Sequence, residues 1–260
     1  MVLPEGYLAA VDEELRRLPA DAFGGPDAAH PSFTPVQKAI SYSMTSFFTT
    51  GGIRGGKKKL DKFYPRSFNM GIRRDVYQQL EGFSAMRFGE DIDFSIRIFK
   101  GGYRCRLFPE AWVWHKRRTD FRKFFRQVYN SGIARINLYK KYPESLKLVH
   151  LLPMVFTVGV LFLLLLFIVG IVLGATVLRH CNQPFAGMIC GVALLPLVLY
   201  SLIIFVDASR QYNSLWIGLL SIRAAFTQLM GYGFGFIEAW WKRCVRGKSE
   251  FSAFEKTFYK

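Results

Sequence analysis

The feature that most constrains the fold is a long apolar run in the second half of the chain. Leu151 to Leu178 contains no charged residue. As a helix it would be roughly 40 Å long, since a helix rises about 1.5 Å per residue. The hydrocarbon core of a bilayer is only about 30 Å thick. The run therefore predicts a membrane-spanning helix; the alternative is a buried core helix of a soluble protein.

Two further hydrophobic segments follow it. Phe185 to Val206 is long enough to span, and the link from Arg179 to Pro184 is short enough for a helical hairpin. The third segment, 215–241, contains polar residues and three closely spaced glycines and ends in Trp240-Trp241, a pair typical of headgroup depth. We expect an interfacial or re-entrant helix there, with a third span as the alternative.

Positive charge indicates which side of the membrane the ends occupy. The chain has a formal net charge of +16, and Lys and Arg flank the hydrophobic region at 140–147 and again at 242–248. Such clusters favour the cytosolic side, where an anionic leaflet attracts them. This accounts for the charge without nucleic acid as a partner. The four cysteines show no CxxC spacing, so neither a metal site nor a disulfide framework is predicted.

An acidic block precedes the membrane region. Glu90, Asp91 and Asp93 crowd the first turn of a helix predicted to end at Gly101-Gly102. Carboxylates are stabilised at a helix N-terminus by the dipole, so all three have a purely structural interpretation, and Asp93 can also pair with Arg97 four residues on. For Glu90-Asp91, beside a glycine, the structural and functional interpretations both stay open.

Other short motifs could contact a ligand. Gly24-Gly25-Pro26-Asp27 follows a strand and could bring backbone close to a ligand, although an ordinary loop is the simpler interpretation. His115 ends a strand beside three cations, which suits a phosphate or a metal; a structural role is the alternative. The loop at 51–59 is basic enough for an anionic ligand. The stripe of apolar residues from Phe121 to Ile136 predicts an amphipathic interfacial helix.

Taken in order, these blocks resemble the C-terminal half of the catalytic domain of family 2 glycosyltransferases, specifically the membrane-bound bacterial enzymes. The resemblance covers roughly Pro4 to Ile136 and rests on an ordered set of short motifs. They are Gly24-Gly-Pro-Asp27, Asn69-Met-Gly-Ile-Arg-Arg74, Glu81-Gly-Phe83, Gly89-Glu-Asp-Ile-Asp93, Gly101-Gly-Tyr103, His115, Arg126-Gln127 and Gly132.

The resemblance implies an α/β fold of the GT-A type, a mixed sheet between helices, followed by transmembrane helices. It implies an inverting transfer from a nucleotide-sugar donor with a divalent metal, Mg²⁺ or Mn²⁺. Asp91, with Glu90 beside it, would be the catalytic base, and His115 would hold the metal or the diphosphate. The other implied substrate-binding residues are Gly24, Gly25, Pro26, Asp27, Asn69, Arg126 and Gln127. The tryptophan that closes the Arg126-Gln127 motif in processive members is absent.

One departure from the family concerns the donor site. Members bind the metal and nucleotide through an Asp-x-Asp in an earlier half of the domain, and Asp91-Ile-Asp93 spells that tripeptide in the wrong block. Leu3 to Tyr7 resembles the segment that follows the true motif. From this we expect a truncated chain that is inactive and folds weakly on its own, because strands without partners expose an edge.

The sequence therefore predicts a multi-pass protein of the bacterial cytoplasmic membrane with its catalytic part in the cytosol. It would transfer a sugar to a lipid-linked or polysaccharide acceptor. The alternative is a non-catalytic membrane-anchored protein that binds anionic lipid or a partner chain. The predicted parts are a partial GT-A domain at 1–118, an interfacial helix and linker at 119–148, a membrane region at 149–241 with spans at 151–178 and 185–206, and a basic cytosolic tail at 242–260.

Overall fold

The computed structural model describes residues 1–50, 63–86, 88–176 and 183–248. The basic loop at 51–59, most of the link between the two spans and the end of the basic tail lie outside the described residues. Within them the fold is mixed α/β and mostly helical, with small sheets in the first 120 residues and long helices after them. The α/β fold class expected from the sequence is confirmed.

Among the described residues, five short strands form two small sheets. In the first, β1 (Ala22–Gly24) lies between β3 (Met70–Ile72), antiparallel to it, and β4 (Cys105–Leu107), parallel to it. In the second, β2 (Asp27–Ala28) pairs in parallel with β5 (Val113–Trp114). Both sheets thus receive a strand from the segment that carries Gly24 to Asp27, which fixes that segment between them.

Short helices precede and connect the strands. Before β1 the chain forms α1 (Tyr7–Arg17), and between β2 and β3 it forms α2 (Pro35–Thr45) and α3 (Phe47–Thr50). A capping box begins α2, in which Thr34 and Gln37 bond each other's backbone amides. A single 3-10 turn at 67–69 leads into β3, and α4 (Arg74–Gln79) follows it.

The acidic block begins a helix with two buried faces. Helix α5 (Glu90–Lys100) packs Phe94 and Ile98 against Ala22 of the first sheet. Its Ile96 packs against Leu138 of α6 (Phe121–Lys141). Since both faces of α5 are covered, the orientation of its first turn is determined by the sheet on one side and α6 on the other.

Two helices form a long apolar hairpin. Helix α7 (Leu152–Ala175) and helix α8 (Gln183–Tyr212) pack together where Gly170 lies against Cys190. The segments Leu148–Ala175 and Phe185–Tyr212 are long and apolar enough to cross a membrane, and only 17% and 11% of their most apolar windows are buried in the protein. A soluble core helix would be mostly buried, so this exposure favours a lipid environment.

The third hydrophobic segment is a continuous helix, α9 (Leu215–Trp240), followed by a π-helical turn at Trp241–Val245. It contacts the first turns of α7, where Leu229 and Gly233 meet Thr157. It also contacts the last turns of α8, where Gly218 meets Phe205. The start of α7 and the end of α8 together form the base of the hairpin, so α9 packs at that base. The position of α9 in the membrane interface stays a prediction.

The glycines that interrupt this segment serve helix packing. A methyl group on Gly231 would meet Val128 of α6, and one on Gly235 would overlap the Tyr129 backbone of the same helix. Gly132 of α6 approaches α9 in turn, with no room for a Cβ beside the Tyr232 carbonyl. The apolar stripe predicted on α6 is therefore covered largely by α9 and α2, whose Ile40 packs on Phe124.

The polar residues within the hydrophobic region face the helices of the first half. On α8, Asp207 accepts a 2.6 Å hydrogen bond from the Tyr42 hydroxyl of α2. On α9, Arg223 lies over the ring of Phe121, with its guanidinium 4.6 Å from the ring centroid. Glu238 accepts a hydrogen bond from Tyr129. The soluble part is thus attached to the hairpin through specific polar contacts as well as apolar packing.

Candidate active site

The first turn of α5 presents the acidic pair. Gly89 precedes the helix with a φ of 85°, a left-handed conformation that L side chains rarely adopt. The turn that it forms places Glu90 and Asp91 at the positive end of the helix dipole, where negative charge is stabilised. A partly buried carboxylate at such a position can accept a proton from a bound hydroxyl.

Asp91 is held from two sides. Its Oδ2 lies 3.4 Å from Nη1 of Arg66, and its Oδ1 accepts a 2.8 Å hydrogen bond from the backbone N–H of Ile92. The Asp91 side chain is 12% exposed and that of Arg66 is 35% exposed, so one edge of the pair is open to solvent. The carboxylate is therefore oriented and still reachable by a small acceptor group.

Glu90 is in a different electrostatic environment from its neighbour. Burial raises the pKa of Glu90 above its ordinary value, and the charge of Asp91 acts in the same direction. A hydrogen bond from the Ser67 hydroxyl and the charge of Arg66 oppose that rise in the pKa only in part. Glu90 thus holds a proton more readily than an ordinary glutamate does.

Asp93 is structural. Its side chain is fully buried and accepts hydrogen bonds from Arg97 Nε at 3.0 Å, Lys141 Nζ at 2.5 Å and the Tyr142 hydroxyl at 3.0 Å. Burial alone would raise the pKa of Asp93, but the hydrogen bonds, led by that of Lys141, hold it below its ordinary value. The predicted pair with Arg97 is confirmed, and Asp93 joins α5 to the end of α6.

The paired glycines and Asn69 form a tightly packed corner. A side chain on Gly25 would overlap the Ala111 carbonyl, and Asn69 Nδ2 donates to that same carbonyl at 2.9 Å. The Asn69 side chain also donates to the Pro26 carbonyl at 3.4 Å and accepts a 2.7 Å bond from the Tyr7 hydroxyl. The close approach predicted at the glycines is thus an approach to protein atoms, and a substrate role for these residues stays a prediction.

Asp27 and His115 lie at the ends of the paired strands β2 and β5. Asp27 Oδ2 is 2.6 Å from Nη1 of Arg117, a buried cation whose side chain is 5% exposed. The ring of His115 stacks on Phe68 with centroids 4.0 Å apart. Burial, and after it the charge of Arg117, lowers the pKa of His115 below its ordinary value. His115 therefore takes up a proton less readily than an ordinary histidine does.

The residues around His115 meet only part of what a metal centre requires. His115 Nδ1 is buried and has no hydrogen-bond partner among the described residues, as a free ligand atom would be. However, the Asp27 carboxylate is paired with Arg117, and the described part of the chain contains no group of three His, Cys, Asp or Glu side chains able to hold an ion. Mg²⁺ is bound through several oxygens. The described residues do not complete a metal site, and the divalent cation stays a prediction from the resemblance.

The two predicted residues on α6 differ in their surroundings. Gln127 Oε1 accepts a 3.0 Å bond from Arg118 Nε, which connects α6 to the segment that follows His115. Arg126 is exposed on the same helix. The contact of Arg126 and Gln127 with a diphosphate or a growing chain stays a prediction.

Four consecutive residues bring the separate blocks together. Arg66 pairs with Asp91, and Ser67 bonds Glu90. Phe68 stacks on His115, and Asn69 bonds the backbone beside Gly25 and at Ala111. The segment Arg66–Asn69 therefore lies between the acidic pair on one side and the glycine corner with His115 on the other.

Sequence reasoning missed three of the residues that organise this site. Arg66 and Ser67 stand alone in an irregular stretch, and nothing in their spacing points to the acids 23 to 25 positions away. Arg117 lies in the Lys116 to Arg118 run, which the sequence marked as basic beside His115. No local pattern distinguishes the one buried cation of that run from its neighbours, because the ion pair with Asp27 depends on strand pairing.

Comparison with known proteins gives two matches. The family model described as glycosyl transferase family group 2 matches residues 67–222, which include the acidic block, α6 and the hairpin. A 59-residue stretch is 32% identical to the probable glycosyltransferase YdaM of Bacillus subtilis strain 168, and covers 23% of this chain and 14% of that relative. The chain therefore matches only a small part of this relative's length.

Proposed function

Because the chain belongs to the glycosyl transferase family group 2, we propose that it transfers a sugar from a nucleotide-diphosphate donor to an acceptor hydroxyl with inversion at the anomeric carbon. The acceptor is a lipid-linked saccharide or a polysaccharide. The reaction takes place at the cytosolic face of the bacterial cytoplasmic membrane, which the chain crosses with α7 and α8.

The observation that supports this proposal most is the arrangement around Arg66–Asn69. Motifs that lie far apart in the sequence, from Gly24 to His115, converge on this one segment. In the first turn of α5, Asp91 pairs with Arg66 and burial raises the pKa of Glu90, while Asp93 is buried in a structural network. Asp93 thus has a structural role, whereas Glu90 and Asp91 face the segment Arg66–Asn69.

In the proposed reaction Asp91 is the general base. The Asp91 carboxylate accepts the proton of the acceptor hydroxyl while the acceptor oxygen bonds to the anomeric carbon. The bond from that carbon to the diphosphate oxygen breaks on the opposite face, and the diphosphate leaves with the electron pair. General-base catalysis of this kind contributes about 10²- to 10⁴-fold. Arg66 and the Ile92 amide orient the carboxylate for this step.

In the proposed reaction, the membrane helices hold the acidic pair at a fixed height above the membrane. The acidic pair begins α5, which packs on α6, which in turn packs on α9 at the base of the hairpin. The chain of contacts fixes the distance between Asp91 and the membrane surface. A lipid-linked acceptor presents its sugar at that surface, so the acceptor need not leave the bilayer to react.

The described residues account for the acceptor side of the reaction only. They contain no complete metal site, and the family's Asp-x-Asp belongs to a nucleotide-binding half that the resemblance places before these motifs. We therefore propose that these residues bind a nucleotide-sugar only together with such a nucleotide-binding half.

A second candidate is a membrane-anchored protein without catalytic activity. It is favoured by the glycine corner, because Gly25 and Asn69 are packed and hydrogen-bonded by protein groups that a structural role explains fully. On this interpretation Glu90 and Asp91 only stabilise the start of α5.

A transfer assay separates the two candidates. The chain, joined to a nucleotide-binding half from a family member, is reconstituted in proteoliposomes with bacterial lipid extract, Mg²⁺ or Mn²⁺ and radiolabelled UDP- and GDP-sugars. We expect label in the lipid or polymer fraction with at least one donor, and no donor binding by the 260-residue chain in calorimetry. If the joined protein binds a donor but transfers none of the sugars, the non-catalytic candidate is favoured. Micromolar donor binding by the 260-residue chain would refute the proposed need for the second half.

A further inference from the structure

A basic pocket lies at the C-terminal end of α6. Its volume is about 490 Å³, and it is enclosed by the segment before α5, the last turns of α6 and the π-helical turn after α9. The lining residues are Ser84, Ala85, Met86, Asn137, Lys140, Lys141 and Arg243. No part of the proposed transfer mechanism uses this pocket.

The pocket carries positive charge that protein carboxylates only partly balance. Three of its lining residues are cations, and none of them is acidic. Lys141 pairs with Asp93 at 2.5 Å, but neither Lys140 nor Arg243 is in a salt bridge between described residues. Two positive charges directed at one concave site attract an anion.

Buried polar atoms in the wall lack partners. Asn137 is 8% exposed, and neither its Oδ1 nor Nε of Arg243 has a hydrogen-bond partner in the described part of the chain. A buried donor or acceptor without a partner is unfavourable, so such atoms point to a ligand that satisfies them. Arg243 Nε requires an acceptor and Asn137 Oδ1 requires a donor, a combination offered by a phosphate ester that carries a free hydroxyl.

The position of the pocket indicates where such a ligand comes from. Arg243 lies two residues after Trp241 in the π-helical turn, and Trp240 and Trp241, where α9 meets this turn, are about half exposed. Leu148, a few residues beyond Lys141, is 84% exposed at the start of the apolar hairpin. Tryptophans at the end of a hydrophobic segment are typical of headgroup depth.

We propose that this pocket binds the phosphate of an anionic lipid headgroup that carries a hydroxyl, with Arg243 and Lys140 contacting the phosphate and Asn137 Oδ1 accepting from the hydroxyl. The site does not depend on sugar transfer, since it uses none of the residues assigned to that reaction. A failure of the transfer assay would leave it intact, and the reverse also holds.

Native mass spectrometry of the full chain in detergent tests this inference. The chain is titrated with dihexanoyl phosphatidylglycerol and, separately, with dihexanoyl phosphatidylcholine, and glycerol 3-phosphate is added as a soluble competitor. The variants are Arg243→Gln and Lys140→Gln. Lys248→Gln is the matched control, because it removes the same charge near the same end of α9 from a residue outside the pocket.

We expect one saturable phosphatidylglycerol site that both pocket variants weaken about tenfold, since a charge-assisted hydrogen bond is worth about 1.5–3 kcal/mol and 1.4 kcal/mol is tenfold in Kd. Lys248→Gln should bind as the wild type does. Equal affinity in the wild type and both pocket variants would overturn the proposed site. If phosphatidylcholine binds as tightly as phosphatidylglycerol, the ligand need not be anionic and the proposal is wrong. If glycerol 3-phosphate displaces the lipid at similar concentrations, the site binds a soluble phosphate ester and not specifically a lipid.

Discussion

The three acids of the α5 block have different partners although they lie within four residues. Asp93 is completely buried among Arg97, Lys141 and Tyr142, whereas Asp91 pairs with Arg66, which is partly exposed. The first environment keeps a carboxylate ionised and inaccessible. The second orients a carboxylate that an incoming hydroxyl can reach, which is why the proposed base is Asp91.

Asp93→Asn should destabilise the protein in a way that depends on pH. The substitution removes a buried charge that Lys141 and Arg97 bond, at an expected loss of about 2 kcal/mol or more. Because the pKa of Asp93 is lowered in the folded state, its stabilising contribution is present above the unfolded pKa and is lost as pH falls through the folded pKa.

Thermal unfolding in detergent measures this effect. At pH 7 the variant should unfold several degrees below the wild type, and the difference should narrow below about pH 4, near the ordinary pKa of an aspartate. Asp75→Asn is the control, since Asp75 is exposed beside Arg73, and it should leave the melting temperature unchanged. A difference between wild type and Asp93→Asn that is constant from pH 7 to pH 3 would contradict the assigned network.

Part of this residue-scale arrangement was predictable. The Asp93 to Arg97 pair follows from helical spacing alone, and the capped start of α5 follows from Gly89 and the acids after it. The bonds from Lys141 and Tyr142 come from nearly fifty residues away. They form because α5 packs on α6, and no local pattern contains that information.

At the scale of elements, the long helices and the strands beside Gly24 and His115 were predictable, whereas the pairing of the strands was not. The apolar stripe of α6 and the uncharged run of α7 each extend over many turns, so their signals are strong. The strands are two or three residues long and depend on pairing with distant segments. The second span extends six residues beyond its predicted end at Val206, because Asp207 is paired with Tyr42 instead of facing lipid.

The contact between α6 and α9 depends on glycine. Gly132→Ala should destabilise the protein by about 1–3 kcal/mol, the usual range for overpacking, because the new methyl group would overlap the Tyr232 carbonyl. Gly159→Ala in α7 is the matched control, since nothing lies within 4 Å of a Cβ there. Thermal unfolding in detergent should show a lower midpoint for the first variant only. Equal midpoints for the two variants would contradict the close packing of α6 on α9.

At the scale of the whole molecule, the fold is a series of contacts from the sheets to the membrane helices. The first sheet packs on α5, α5 on α6, α6 on α9, and α9 on the base of the hairpin. This order could not be derived from the sequence, which gave α9 as a separate interfacial segment. It explains how helices that touch no substrate can fix the height of the acidic pair above the membrane.

The most direct test of this account is the transfer rate of Asp91→Asn in the chain joined to a nucleotide-binding half, measured together with its donor affinity and melting temperature. Loss of the general base should reduce transfer by about 10²- to 10⁴-fold, while donor affinity and melting temperature stay at wild-type values. Turnover within a fewfold of the wild type would show that Asp91 is not the base and that the acidic pair only begins a helix.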